Sequence, residues 1–195
     1  MPQLGKLTAA QFQLDAEALA QLLIGAILIR RGDLVWRARI VETEAYLGPA
    51  DLASHSSKGL TPRTKVMFGP PGRAYVYLIY GMYNMLNVVC GGEGNAHAVL
   101  IRAAEPLDHW AADLSGPGKL ARAFEITRLH NGINLRSKEL SIWHDPLHHP
   151  AILRTARIGV DYARHWKDAL LRFHDADSAA VSGRKRNRRR VISHR

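Results

Sequence analysis

Arg73-Ala74-Tyr75-Val76-Tyr77-Leu78-Ile79-Tyr80-Gly81-Met82-Tyr83-Asn84-Met85-Leu86-Asn87-Val88-Val89, continuing through Cys90-Gly91-Gly92-Glu93-Gly94-Asn95 to Glu105, is the stretch that decides the fold. Residues 74–79 and 83–89 are rich in β-branched and aromatic side chains, and Tyr80-Gly81-Met82 between them reads as a turn. Gly91, Gly92, Gly94 and Asn95 supply a second turn before an apolar strand at 98–103. Connections this short join antiparallel neighbours, because a parallel pair needs a crossover of about a dozen residues. The stretch is a meander, and the expected class is α+β: a single domain with a curved, mainly antiparallel sheet, packed helices and a projecting β-hairpin.

Toward the N-terminus, residues 16–24 read as a helix with Leu19, Leu22 and Leu23 at helical spacing, Asp15 as N-cap and Gly25 as stop. Residues 26–31 and 34–46 read as strands joined tightly through Gly32-Asp33. A polar loop follows at 47–65, long enough to suggest function and without evident secondary structure of its own. Toward the C-terminus, helices are expected at 107–114 and 118–124, with short strands at 140–143 and 153–160. The domain is expected to occupy residues 1–183, and a basic, disordered tail residues 184–195.

Composition narrows the function. The chain has 195 residues, 47% of them hydrophobic and 23% charged, enough apolar material for one core. Cys90 is the only cysteine, so neither an internal disulfide nor a cysteine-rich zinc cage can form. The apolar run at 18–29 is too short to span a bilayer, and no secretory leader is legible; the expectation is a non-secreted protein, cytoplasmic or of the nucleus or nucleoid. Net charge is +10, but seven positive charges fall in residues 184–195, leaving the body at only +3. That tail reads either as a solubilising end or as a contact to phosphates.

Glu42 and Glu44 lie two apart in a strand and share a face with Tyr46. The ordinary reading is a solvated strand edge; the functional one is a general base or a glycosidase-like acid/base pair. Tyr75, Tyr77, Tyr80 and Tyr83 crowd one hairpin, where tyrosines commonly pack across strands, but Tyr80 sits in the turn, where a ring projects into solvent as a wedge would. His55 and His97 lack partners at metal-ligand spacing, and Pro146 and Pro150 argue against a helix carrying His144 and His148; no metal site is expected. Ser115-Gly116-Pro117-Gly118-Lys119, at a helix start, could receive a phosphate or simply cap the helix.

Several of these motifs, in order, resemble one family. Val41-Glu42-Thr43-Glu44-Ala45-Tyr46-Leu47-Gly48, His55-Ser56, Thr61-Pro62-Arg63 and the Tyr75 to Tyr83 run are joined by Leu100-Ile101-Arg102-Ala103-Ala104-Glu105-Pro106-Leu107, Gly116-Pro117-Gly118-Lys119-Leu120 and Arg157-Ile158-Gly159-Val160. Together they strongly resemble the alkyladenine (3-methyladenine) DNA glycosylases, over residues 10–174. Arg164-His165 before Trp166 departs from the small-then-acidic pair usual there.

The resemblance implies a DNA repair enzyme that flips alkylated or deaminated purines from duplex DNA and hydrolyses the N-glycosidic bond, leaving an abasic site. It implies Glu44 as general base, with Arg102 and the Ile158 carbonyl helping to hold the attacking water. Tyr46, His55 and Tyr77 match the walls of the base pocket, and Asn87 a pocket residue that crowds the 2-amino group of guanine. Tyr80 matches the side chain that enters the duplex; Glu42 receives no role beyond supporting its strand. The expected partner is double-stranded DNA with damaged purines, without cofactor, metal or membrane, and the chain is expected to act as a monomer.

Overall fold

The tyrosine-rich meander forms one end of a broad antiparallel sheet in a computed structural model, which describes residues 4–183. The strands are β1 (Gly5–Lys6), β2 (Ile27–Arg31), β3 (Val35–Tyr46), β4 (Ala74–Ile79), β5 (Tyr83–Cys90), β6 (His97–Pro106), β7 (Leu140–His144), β8 (Ile152–Thr155) and β9 (Arg172–Asp175). The helices are α1 (Ala9–Phe12), α2 (Ala16–Leu23) and α3 (Pro117–Ala123). The main path runs β1-β7-β2-β3-β6-β5-β4; β9 pairs with β3, and β8 with β9. All of these strand pairs are antiparallel, so the α+β expectation holds. No helix among the described residues is long and apolar enough to cross a membrane.

Helix α2 forms where the leucine spacing put it. Asp15 caps it by accepting from the Ala18 amide at 2.8 Å, and Ala16, Leu19, Ala20 and Leu23 are buried. It packs on β3 and β6, where Thr43 donates to the Ala20 carbonyl at 2.9 Å. Phe12, Phe124 and Phe173 join it in the main core.

Strand β3 organises everything that follows. Its first half pairs with β2, and its second half lies between β6 and β9. The β3–β6 register is irregular around Glu42: Ile40 faces Ala104, Glu42 faces Ala103, then Thr43 faces Ile101. Val41 and Arg102 are thus left outside the regular pairing. Such bulges twist a strand and re-aim its side chains, and this one puts Arg102 against the acidic face of β3.

Four expectations need correction. Residues 107–114 are not helical: β6 runs on to Pro106, and the segment beyond is held by Trp110, stacked on Trp36 at 4.6 Å and edge-on to Phe124 at 4.9 Å. Tertiary packing of that ring overrides local helix preference. The strand expected at 153–160 stops at Thr155, and the chain then turns inward with Arg157 and Ile158. The loop at 47–65 contains two 3₁₀ turns, Gly48–Ala50 and His55–Lys58. The link between β2 and β3 is three residues, Gly32 to Leu34. Strands β1 and β9 and helix α1 are too short for their patterns to stand out. The basic tail at 184–195 lies outside the described residues.

Candidate active site

Glu44 has no solvent exposure, nor has Glu42, so the solvated-edge reading of the pair fails. A buried carboxylate must be hydrogen-bonded or neutral. Glu44 Oε1 accepts from the Ile158 amide at 2.8 Å. Its Oε2 accepts from the Tyr46 hydroxyl at 2.9 Å and, more distantly, from Arg102 Nη1 at 3.3 Å. Burial pushes its proton affinity above that of an ordinary glutamate, opposed by Arg102, the Ile158 amide and Tyr46 and reinforced by Glu42. The resemblance singled out the Ile158 carbonyl; here the amide of that residue meets the carboxylate.

Tyr46, Arg102 and Ile158, the three partners of Glu44, all line an open cavity of about 240 Å³. Glu44 itself does not line the cavity and is bonded to these three residues that do. Tyr77, His55 and Tyr75 form an aromatic cluster along the cavity, with His55 edge-on to Tyr77 at 4.5 Å and Tyr75 beside Tyr77 at 5.3 Å. His55 Nδ1 is 3.0 Å from the Tyr75 hydroxyl. Burial, and secondarily the Arg63 charge, push the His55 pKa down to about 4, so the imidazole is neutral at physiological pH. Arg63 lies over the Tyr77 ring at 5.2 Å and Arg157 over Tyr46 at 4.8 Å. Asn87 is buried and lines the same cavity, its amide fixed on the Tyr75 carbonyl at 3.1 Å and the Met85 carbonyl at 3.4 Å.

Tyr80 occupies the tip of the β4–β5 hairpin, at the edge of the cavity, and is 83% exposed. Its φ is +52° and that of Gly81 +70°. Glycine adopts such a conformation freely; a tyrosine pays of order 1–3 kcal/mol for it. A bulky ring held in a costly backbone conformation and offered to solvent is the form a wedge takes.

Sequence reasoning missed several residues. Asp51 and Arg157 form a fully buried pair, with Arg157 Nη1 at 2.5 Å from Oδ2 and Nη2 at 2.9 Å from Oδ1. Arg157 also donates to the Ala45 carbonyl at 2.9 Å, which ties the segment bearing Ile158 to the end of β3. Tyr162 also lines the cavity, and its hydroxyl donates to the Ala53 carbonyl at 3.3 Å. These contacts join loops distant in sequence, and no local pattern announces them. Lys119, a phosphate candidate in sequence, is paired instead with Asp113 at 2.9 Å.

Residues 10–179 match the sequence model of the family described as "Methylpurine-DNA glycosylase (MPG)". A protein of Anaeromyxobacter dehalogenans (strain 2CP-C) is 49% identical over 179 residues, covering 91% of this chain and 86% of the relative. One of Legionella pneumophila (strain Lens) is 48% identical over 180 residues, covering 91% and 98%. One of Myxococcus xanthus (strain DK1622) is 47% identical over 171 residues, covering 86% and 88%. All three are provisionally named 3-methyladenine DNA glycosylases. With a match over nearly its whole length and relatives this similar, the chain belongs to the methylpurine-DNA glycosylase family, the DNA glycosylases for alkylated bases.

Proposed function

We propose that this chain hydrolyses the N-glycosidic bond of alkylated and deaminated purines everted from duplex DNA, as a monofunctional glycosylase that leaves an abasic site. The observation that carries the reading is Glu44: a fully buried carboxylate of raised proton affinity whose three partners, Tyr46, Arg102 and Ile158, line a cavity walled by flat rings. A base inside a duplex is out of reach, so the nucleotide must be extruded at a cost of a few kcal/mol. Stacking on aromatic faces returns about 1–3 kcal/mol per base, and Tyr80 fills the gap left behind. The neutral His55 adds no charge repelling a cationic alkylpurine, which the faces of Tyr46 and Tyr77 attract.

In the chemical step a water oxygen bonds to C1′ while the bond from C1′ to the purine nitrogen breaks, its electron pair leaving with the base. The water proton passes to Glu44. An alkylated, cationic purine departs neutral and needs no acid; a deaminated purine departs as an anion that is protonated afterwards. Glu44 has no exposed surface, so the water meets it between Tyr46, Arg102 and Ile158, the cavity-lining residues that bond it. Strand cleavage through a Schiff base needs an amine at C1′, and no lysine lines the cavity among the described residues. That supports an abasic product rather than a nicked one.

Incubating the protein with methylated duplex DNA and separating the products by chromatography tests the proposal. Free 3-methyladenine and an intact, alkali-labile strand are the expected products. Tight binding with no base released would make the chain a catalytically silent DNA-binding protein.

A further inference from the structure

Behind Glu44 lies a second carboxylate that the proposed reaction does not use. Glu42 is fully buried and takes four donors: Arg102 Nε at 3.1 Å, Arg172 Nη1 at 2.8 Å and the Ser182 hydroxyl at 2.8 Å on Oε1, and the Ser182 amide at 2.6 Å on Oε2. Support of a strand does not call for so many charge-assisted bonds. Arg172 comes from β9 and Ser182 from the segment that follows it, where Val181 and Ser182 are buried. Chain about 140 residues away in sequence is thus folded back onto the centre of β3.

The shared partner is Arg102. It gives Nε to Glu42, Nη2 to the Ser182 hydroxyl at 3.3 Å and only Nη1, at 3.3 Å, to Glu44. A guanidinium left alone with a carboxylate prefers a two-pronged pair. An ionised carboxylate offers about four acceptor positions, and the Ile158 amide, the Tyr46 hydroxyl and one nitrogen of Arg102 take three. One position remains for the proton of a water. A two-pronged Arg102 would fill it and weaken the base as well.

We propose that Glu42 is a positioning residue, which with Ser182 draws Arg102 back from Glu44 and so leaves the base one open acceptor position for the nucleophilic water. The inference rests on Glu44 acting as the general base. The groups facing Glu44 are Arg102 from β6, Glu42 and Tyr46 from β3, Tyr77 from β4 and the Ile158 amide, with Arg157 behind Tyr46 and Arg172 behind Glu42. Of these, Glu42 alone raises the proton affinity of Glu44 while restraining its arginine. Glu42→Gln removes the negative charge behind both influences and leaves Arg102 at most a neutral amide acceptor, so Arg102 moves toward Glu44, which loses its proton at lower pH. Since the base must be ionised, the acid limb of the rate profile moves to lower pH and the plateau falls.

The test is single-turnover excision from duplex DNA carrying one alkylated purine, followed from pH 4.5 to 9 for the wild type, Glu42→Gln, Glu42→Asp, Ser182→Ala and Glu44→Gln. Glu42→Gln is expected to lose about 10-fold or more of its plateau rate, less than the ~10²–10⁴-fold carried by a general base itself. Its acid limb should move down, and its affinity for damaged duplex should change less than about 2-fold. Glu42→Asp, which keeps the charge, should restore most of the limb position. Ser182→Ala should move it the same way by less, and this variant decides the matter if Glu42→Gln does not fold. An unmoved limb in Glu42→Gln, or in Ser182→Ala where it stands in, would overturn the proposal even if the rate falls, since a merely structural role lowers the folded fraction without changing the base. Full activity in Glu44→Gln would instead remove the reading beneath it.

Discussion

Tyr80 shows most directly how a single residue trades stability for function. Its left-handed backbone is a cost that glycine would not bear. Tyr80→Gly should therefore leave the fold as stable or raise its stability by about 1 kcal/mol in urea denaturation, yet weaken binding to damaged duplex far more than to undamaged duplex. Equal weakening on both would show that the ring does not act in the gap. The position of Tyr80 in a turn was legible from Gly81 and Met82 beside it; the strain was not, because backbone angles leave no mark on composition. Glu44 is the opposite case. Two carboxylates two apart on a strand look solvated, and only the arrival of Arg102, Arg172 and Ser182 from distant segments makes their burial possible. Within the residues alone the choice stayed open, and the ordered motifs of the family were what favoured Glu44.

At the scale of elements, the second half of β3 works because another segment is fastened to it. Residues 156–160 leave β8, and Arg157 locks them to Asp51 and the Ala45 carbonyl, so that the next amide, of Ile158, reaches Glu44. Asp51→Asn would strand a buried guanidinium without its counter-charge, at an expected cost of about 3–5 kcal/mol. Urea denaturation checks this, and a loss below about 1 kcal/mol would mean that the pair is not what anchors the segment. The meander, α2 and α3 were readable because their patterns are local and periodic. The expected helix at 107–114 and the overlong strand at 153–160 failed for one reason: in both, side chains from elsewhere, Trp36 against Trp110 and Asp51 against Arg157, decide the backbone path. Arg164, in the pair that departs from the resemblance, adopts φ +53°, and nothing in the structure explains the arginine there.

For the whole molecule, the exposed ring and the buried base belong to one sheet, with β4 and β5 carrying the hairpin and β3 and β6 carrying Glu44, Tyr46 and Arg102. The charge is divided differently: residues 1–183 carry +3, and residues 184–195 seven positive charges. If those charges meet phosphates, removing residues 184–195 should flatten the dependence of DNA affinity on salt, since each neutralised phosphate adds about 0.9 to the slope. An unchanged slope would leave the tail without a role in binding. Recognition and chemistry separate most cleanly at Glu44, since one atom exchange there removes the base and keeps the shape. Single-turnover excision by Glu44→Gln on a duplex with one alkylated purine, beside its affinity for that duplex, is the decisive measurement. Binding should stay within a few-fold of wild type while the excision rate falls by about 10²–10⁴-fold; excision near the wild-type rate would place the general base on another residue.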